Sequence, residues 1–410
     1  MLRIDTSHLD RNESRLFLDY LSAAIASAGH PQTGEASFDD DGTFVAELDG
    51  RLIQGEEEFP ITWTVRRVSA GTIPFVDLAA QEGAELNATW EAVGEAFILE
   101  VLESTLARDT ETFFQRTACS YIGPQLDGEY WFAGTRVGPY PPDDPGRGIW
   151  GRNEQTVLID QEVDAIDQAH ASKVASGRAH RFMARVSLLL GYGLFRPLPE
   201  FRWVRHRNEE GQRAPERQLV GNLPPIGHRV AMPGRGEESK AGELRGTILT
   251  PASHRLHKLY FPTESELILD RLSSAPANVE EGFDRCSQLY NVGLVIGRRF
   301  PTAGLAYTVA AVDALASAVL HHGQFKAFVR EHLDLGEQGN ALVDRLWGRL
   351  RSAHFHGGQF PLGDFASRGL DLTDVEQFEV QREFGAGHHL LRAAIMSWVF
   401  RTLVLPEAGS

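Results

Sequence analysis

The chain has 410 residues, enough for two or three domains that each bury a core of their own. A net charge of −16 excludes a generally basic nucleic-acid binder, because phosphate binding rests on cationic surface. The 2 cysteines, Cys119 and Cys286, lie far apart and give neither a disulfide framework nor a cysteine-based zinc site.

The first residues, Met1-Leu2-Arg3-Ile4-Asp5, lack the basic start and apolar stretch of a secretion signal, so a cytoplasmic protein is expected. Residues 1–60 hold 13 acidic and 4 basic side chains, which places more than half of the charge deficit there. Thr43–Leu48 and Ile61–Val65 read as strands. Trp90–Phe114 reads as a helix, with Val93, Phe97, Ile98, Val101 and Leu102 on its apolar side. Glu129–Gly134 and Thr156–Ile159 read as strands on either side of a Pro/Gly/Asp-rich loop, Pro139–Gly148. Glu162–Leu190 reads as a long helix, stopped by Gly191-Tyr192-Gly193. From Pro197 to Arg245 the chain is rich in Pro, Gly and charge, and Phe201 and Trp203 alternate with Arg202, Arg205 and Arg207. Such alternation suits stacked bases and paired phosphates. Glu209, Glu210 and Glu216 dilute the charge, however, and a half-buried strand is the preferred reading of Phe201–Arg205. These elements define an α+β region over residues 1–265, with a further break near 195–245.

The remainder reads as helices. Val279–Arg298 carries Phe283, Cys286, Leu289, Tyr290 and Leu294 on one side. Pro301 can open the next helix, since proline suits a first turn. Leu305, Val309, Val312, Leu315, Ala316 and Val319 then repeat at helical spacing. This apolar run, Ala303–Leu320, contains Thr308 and Asp313, and a buried helix explains it better than a membrane span. Phe325–Leu333 and Asn340–Arg351 follow. Gly357, Gly358, Pro361 and Gly363 mark a loop, and Thr373 precedes a long last run through Leu403. Helices joined by short loops predict an all-α up-and-down bundle over residues 270–410, with the boundary near 260–278.

The Asn340–Arg351 helix ends in Arg351-Ser352-Ala353-His354-Phe355-His356-Gly357-Gly358. Arg, four intervening residues, His and a following Gly, with a small polar residue after the Arg, resembles the signature of the HEPN superfamily. Asp313, in Ala-Val-Asp-Ala-Leu, stands where the Apea-like branch of that family often carries a Glu facing the motif Arg. The resemblance covers the last third of the chain. No phosphate-binding loop, dinucleotide fingerprint, His-Glu-x-x-His, Cys-x-x-Cys or Gly-x-Ser-x-Gly competes with it.

The chemistry gives this pairing a purpose. RNA carries its own nucleophile in the 2′-hydroxyl. A neutral His can take that proton, and Arg offers a planar, always-charged fork to the phosphate oxygens. The resemblance therefore implies a metal-independent endoribonuclease, leaving 2′,3′-cyclic phosphate and 5′-hydroxyl ends, as a toxin or antiphage effector. It implies Arg351 on the phosphate, His356 as general base or acid, Asp313 orienting Arg351, and Ser352 and His354 assisting. Arg345 and Arg349 on the same helix are candidates for holding substrate. It also implies a homodimer whose two motifs meet at one composite site, with RNA as partner and an antitoxin or activator as a further one. The region 1–265 would then serve as sensor or substrate selector. No cofactor or metal is called for: adjacent His pairs (321/322 and 388/389) point about 100° apart on a helix and each supply one ligand at most. Against the nuclease reading stand a non-catalytic HEPN-like module that binds RNA, nucleotide or a partner protein, and a metal-dependent hydrolase built on the C-terminal histidines. As a bare helix end, Arg and His would simply complement the helix dipole, with Gly357 as the terminating residue.

Overall fold

The computed structural model describes residues 2–405, apart from 28–33, 39–42, 55–56, 69–70, 82–86, 109, 141–153, 197–199, 208–212, 221–229, 250–257, 298, 321–324 and 366–374. Two compact units are present: residues 1–113 with 163–174, and residues 114–162 with 175–410.

The first unit is an antiparallel sheet with two helices. Its strands are β1 (Leu2–Asp5), β2 (Gly34–Phe38), β3 (Phe44–Gln54), β4 (Glu57–Arg67) and β5 (Phe75–Ala80), in the spatial order β1-β5-β4-β3-β2. Alternation buries Ile61, Trp63 and Val65 on one face of β4. Helix α1 (Arg11–Ser27) presents Phe17, Leu21 and Ile25 to the same core, and helix α2 (Ala88–Ala107) presents Trp90, Ile98 and Leu102. Stacked pairs Phe59–Trp90 and Trp63–Phe97 join α2 to β4. Both helices start at capping side chains. Asp10 accepts from the backbone of Asn12 and Glu13 while Glu13 returns a bond to Asp10, a capping box; Asn87 accepts from Thr89 and Trp90.

Two sequence boundaries move. Helix α2 stops at Arg108, which adopts the left-handed conformation (φ 54°), and Glu111–Ile122 is strand β6. Phe113 and Phe114, beyond the polar Arg108–Thr112 stretch, can be taken as one more turn of the helix, but Thr, aromatic and Cys side chains on a pleated surface suit a strand better. Likewise Glu162 belongs to β10 (Glu154–Ala165), and the helix expected from there begins at Gln168, after Asp167 caps His170.

In the second unit β6, β10, β9 (Thr135–Pro139) and β8 (Tyr130–Phe132) form a sheet in that order. Gln125–Leu126 (β7) pairs with Lys258–Leu259 (β13), and Glu200–Arg207 (β11) with Arg213–Val220 (β12) in a hairpin whose side chains lie outside the described residues. The later part of α3 (Gln168–Leu190) follows. The helices are α4 (Ser265–Ser274), α5 (Ala277–Gly297), α6 (Pro301–Leu320), α7 (Phe325–His332), α8 (Glu337–Arg345), α9 (Ser352–Gly357) and α10 (Val375–Val399). The α+β character of the N-terminal region and the helical character of the C-terminal part are thus both present. One core, however, takes in Cys119, Tyr121, Val157, Ile159, Val186 and Leu189 together with Phe283, Val309, Leu315 and Ile395. The compact units therefore do not divide at residues 260–278: residues 114–162 share the core of the helices because their strands bury apolar side chains against it.

Helix α6 is apolar enough over Pro301–Val319 to cross a membrane by composition. In the fold its Leu305, Val309, Val312, Leu315 and Ala316 are buried in the core. Contact with α5 is made through glycine. A Cβ on Gly304 would stand 2.4 Å from Gly297 Cα and 2.9 Å from the Gly293 carbonyl oxygen.

A buried charge network pins the sheet. Arg136 is fully buried and reaches Glu129 at 2.8 Å and Asp160 at 2.8 Å, while Arg116 holds Asp160 at 2.6 Å and Glu238 at 2.8 Å. Charges this deep persist only when paired.

Candidate functional site

Helix α8 continues through a π-helical turn, Leu346–Arg351, into α9. Arg351 is the last residue of the wide turn. A second such turn, Phe400–Val404, ends the chain's last helix, so the widening alone does not mark chemistry. Helix α9 ends at Gly358, in the left-handed conformation at φ 60°, where the N–H groups of Gly358 and Gln359 bond the carbonyls of His354 and Ala353. The terminating glycine is therefore Gly358 and not Gly357. The loop beyond is tied to the start of α6: the Leu362 N–H donates to Thr302 Oγ1 at 2.9 Å, and buried Asp364 accepts from the Thr302 N–H at 3.1 Å.

Arg351 and Asp313 meet. Nη2 of Arg351 donates to Oδ2 of Asp313 at 3.4 Å, with both side chains about three-quarters buried. The bond is long, as the short reach of Asp predicts. Burial pushes the Asp313 carboxyl above its usual range, and Arg351 only partly offsets that. The guanidinium lies over the Trp347 ring, 4.6 Å from its centroid. Trp347 in turn stacks on Phe325. With Nη2 spent on Asp313 and one face on Trp347, Nε of Arg351 is buried without a partner. The arginine is thus positioned by two neighbours, Asp313 and Trp347, and Asp313 is the only carboxylate bonded to it among the described residues. Trp347 did not stand out in the sequence, although its place one turn before Arg351 is the signal that would find it.

The histidines differ. His354 Nδ1 sits 3.3 Å from the Gln359 carbonyl oxygen. A carbonyl only accepts, so it is Nδ1 that carries the proton in this bond. His354 also meets the rings of Phe355 and Phe360 edge-on, at 5.2 and 5.1 Å. His356 is exposed and bonds no described residue. The segment is helical through Gly357, so His354 and His356 do not share a face. Five positions separate His356 from Arg351, about 140° around a helix, whereas His354 is one turn from Arg351.

Ser352 is half-buried at the start of α9. Arg345 lies on the flank and pairs with Glu383 at 3.2 Å, both well exposed, so its charge is already partly answered. The side chain of Arg349 lies outside the described residues, as do His321 and His322. Among the described residues, no three His, Cys, Asp or Glu side chains converge as metal ligands. Both cysteines are buried, and burial pushes the Cys119 thiol up to about 12. No protein-family model, curated protein or solved structure matches the chain.

Proposed function

We propose that the C-terminal helices form a HEPN-like domain acting as a metal-independent endoribonuclease in the cytoplasm. It cuts RNA through the 2′-hydroxyl and leaves 2′,3′-cyclic phosphate and 5′-hydroxyl ends. The observation that carries this reading is the Arg351–Asp313 pair at the end of a helix whose next two turns present His354 and His356. An arginine used only to complement a helix end needs no buried acidic partner from another helix and no ring beneath it. Here both are present, and a guanidinium held by Asp313 and Trp347 supports a role in clamping a phosphate. His356 takes or returns the proton, Asp313 orients Arg351, and Ser352 and His354 assist.

A homodimer fits the helical phase. One copy turns Arg351 and His356 about 140° apart, and a second copy would bring the Arg351 of one chain and the His356 of the other to one phosphate. A toxin or antiphage effector, held silent by an antitoxin or released by an activator, is the biological role such a site suits.

The test is cleavage of an RNA panel by wild type, Arg351→Ala and His356→Ala, with gel filtration alongside. Loss of the base or of the cationic clamp costs about 10²-fold or more in rate. Equimolar mixing of the two variants should restore a fraction of the activity if the site is composite. A fully active monomer would refute the dimer, and RNA binding without any cutting would favour a non-catalytic module.

A further inference from the structure

A second concave site lies in the same unit, built from side chains to which the nuclease reading gives no role. It has a volume of about 240 Å³ and is lined by the Gly191–Phe195 turn, α5 and α10. At its wall stands Arg392, only 9% exposed. Its Nη1 donates to the Ile248 carbonyl and its Nη2 to the Leu189 carbonyl, each at 3.2 Å, and its Nε has no partner. No carboxylate of the described residues pairs with it, and the lining contains no Asp or Glu at all. In a chain of net charge −16 this is unusual. Carbonyl dipoles solvate a buried guanidinium but leave its net charge unanswered, and buried charges are retained when an opposite charge reaches them.

The rest of the lining is apolar or glycine apart from two histidines, with Ile122, Leu294 and Val295 beside the rings. Tyr192, Phe195, Tyr290 and Phe384 supply rings, and Tyr290 and Phe384 flank His388 edge-on at 5.7 and 5.3 Å. His388 lies beside Thr308 Oγ1 at 3.4 Å, and its dense surroundings hold it neutral, with its pKa pulled down to about 4. It therefore presents a polar edge without competing for the anion.

We infer that this cavity binds a small organic anion, its carboxylate or phosphate answering Arg392 and a flat apolar body lying among Tyr192, Tyr290 and Phe384. The size selects a compact ligand of about one ring, since sites for drug-sized molecules run to roughly 300–1,000 Å³. Neither the site nor its ligand depends on whether the Arg351 motif cuts RNA.

The experiment is thermal melting of the full chain with benzoate, phenyl phosphate, their neutral counterparts benzamide and benzyl alcohol, and inorganic phosphate. At ligand concentrations about tenfold above Kd the folded-to-unfolded ratio rises about elevenfold, which the melting curve reads directly. Benzoate or phenyl phosphate should raise the transition, and which of the two is stronger tells carboxylate from phosphate. Arg392→Met should weaken binding at least tenfold. Because Arg392 also anchors two carbonyls, Gly385→Leu is the second variant: Gly385 is part of the lining, and a Cβ there meets no atom within 4 Å, so bulk can be added without a clash at Cβ. It should abolish the shift. The inference is overturned if neutral probes act as strongly as the anions, or if inorganic phosphate matches phenyl phosphate. Shifts that survive both variants, or no shift with any anion at about 10 mM, also overturn it.

Discussion

Replacing Gly304 by alanine tests whether the α5–α6 contact sets the geometry of the motif. The new Cβ would lie 2.4 Å from Gly297 Cα and 2.9 Å from the Gly293 carbonyl oxygen. Carbon atoms pack at about 3.5–4.0 Å, so the helices must part by about 1 Å or more, and neither obstacle is a side chain that can rotate away. Overpacking of this kind costs about 1–3 kcal/mol, against a gain of up to about 1 kcal/mol from alanine's better helix propensity. The net expectation is a loss of about 1–2 kcal/mol, a factor of about 5–30 in the local opening equilibrium. Gly177→Ala on α3 is the control: a Cβ there meets nothing within 4 Å, so only the propensity gain remains. Hydrogen exchange read by mass spectrometry suits a chain with two units, because it reports each helix separately. Protection across residues 277–297 and 301–320 should fall in Gly304→Ala and hold or rise in Gly177→Ala. Since Asp313 sits nine residues further along α6, the Arg351 pair should loosen as well, and any cleavage rate should fall. Unchanged or increased protection in Gly304→Ala would refute the argument from close backbone approach.

Arg136→Met leaves Glu129 without its only fully buried cation among the described residues and leaves Asp160 with Arg116; the expected loss is about 3–5 kcal/mol, seen as a large drop in melting temperature. Arg116→Met should cost less, because Asp160 keeps Arg136. For pH, the folded protein holds His388 neutral, with its pKa near 4 against an ordinary value of 6.5, facing Arg392, His389 and Tyr290. The unfolded chain therefore binds a proton first as pH falls, and stability should decline between about 6.5 and 4. His388→Asn should flatten that part of the melting-temperature profile; an unchanged slope would place the acid sensitivity elsewhere. Asp313 shifts the opposite way, so its contribution to stability improves on acidification, and Asp313→Asn should remove that small gain.

The C-terminal helices were legible because their signal is local. The 3.6-residue spacing of Leu305, Val309, Val312 and Leu315 marks α6 without reference to anything distant. That Asp313 needs a partner could be anticipated because an isolated acid on so apolar a helix has to be answered; that the partner is Arg351 is what the family resemblance implies. Strand β6 was hidden because Phe113 and Phe114, beyond the polar Arg108–Thr112 stretch, can be taken as one more turn of the preceding helix, and only pairing with β10 shows the change of period. Helix α1 carries a readable capping box at Asp10 and Glu13, which goes unnoticed beside so much acidic sequence. The relation between His354 and His356 turned on whether the segment is extended or helical, which four residues of sequence do not decide. The Arg392 cavity lies beyond any linear reading: Tyr192, Tyr290 and Arg392 are each about a hundred residues apart, and an unanswered charge is visible only once every neighbour is in place.

Metal-free cutting of RNA at the Arg351 motif, as proposed, is tested by incubating the wild-type chain with total cellular RNA, tRNA and single-stranded oligonucleotides in EDTA and reading the product ends. Cutting should leave 5′-hydroxyl and 2′,3′-cyclic phosphate ends and should vanish in Arg351→Ala. Cleavage that EDTA abolishes, or that Arg351→Ala retains, would contradict it.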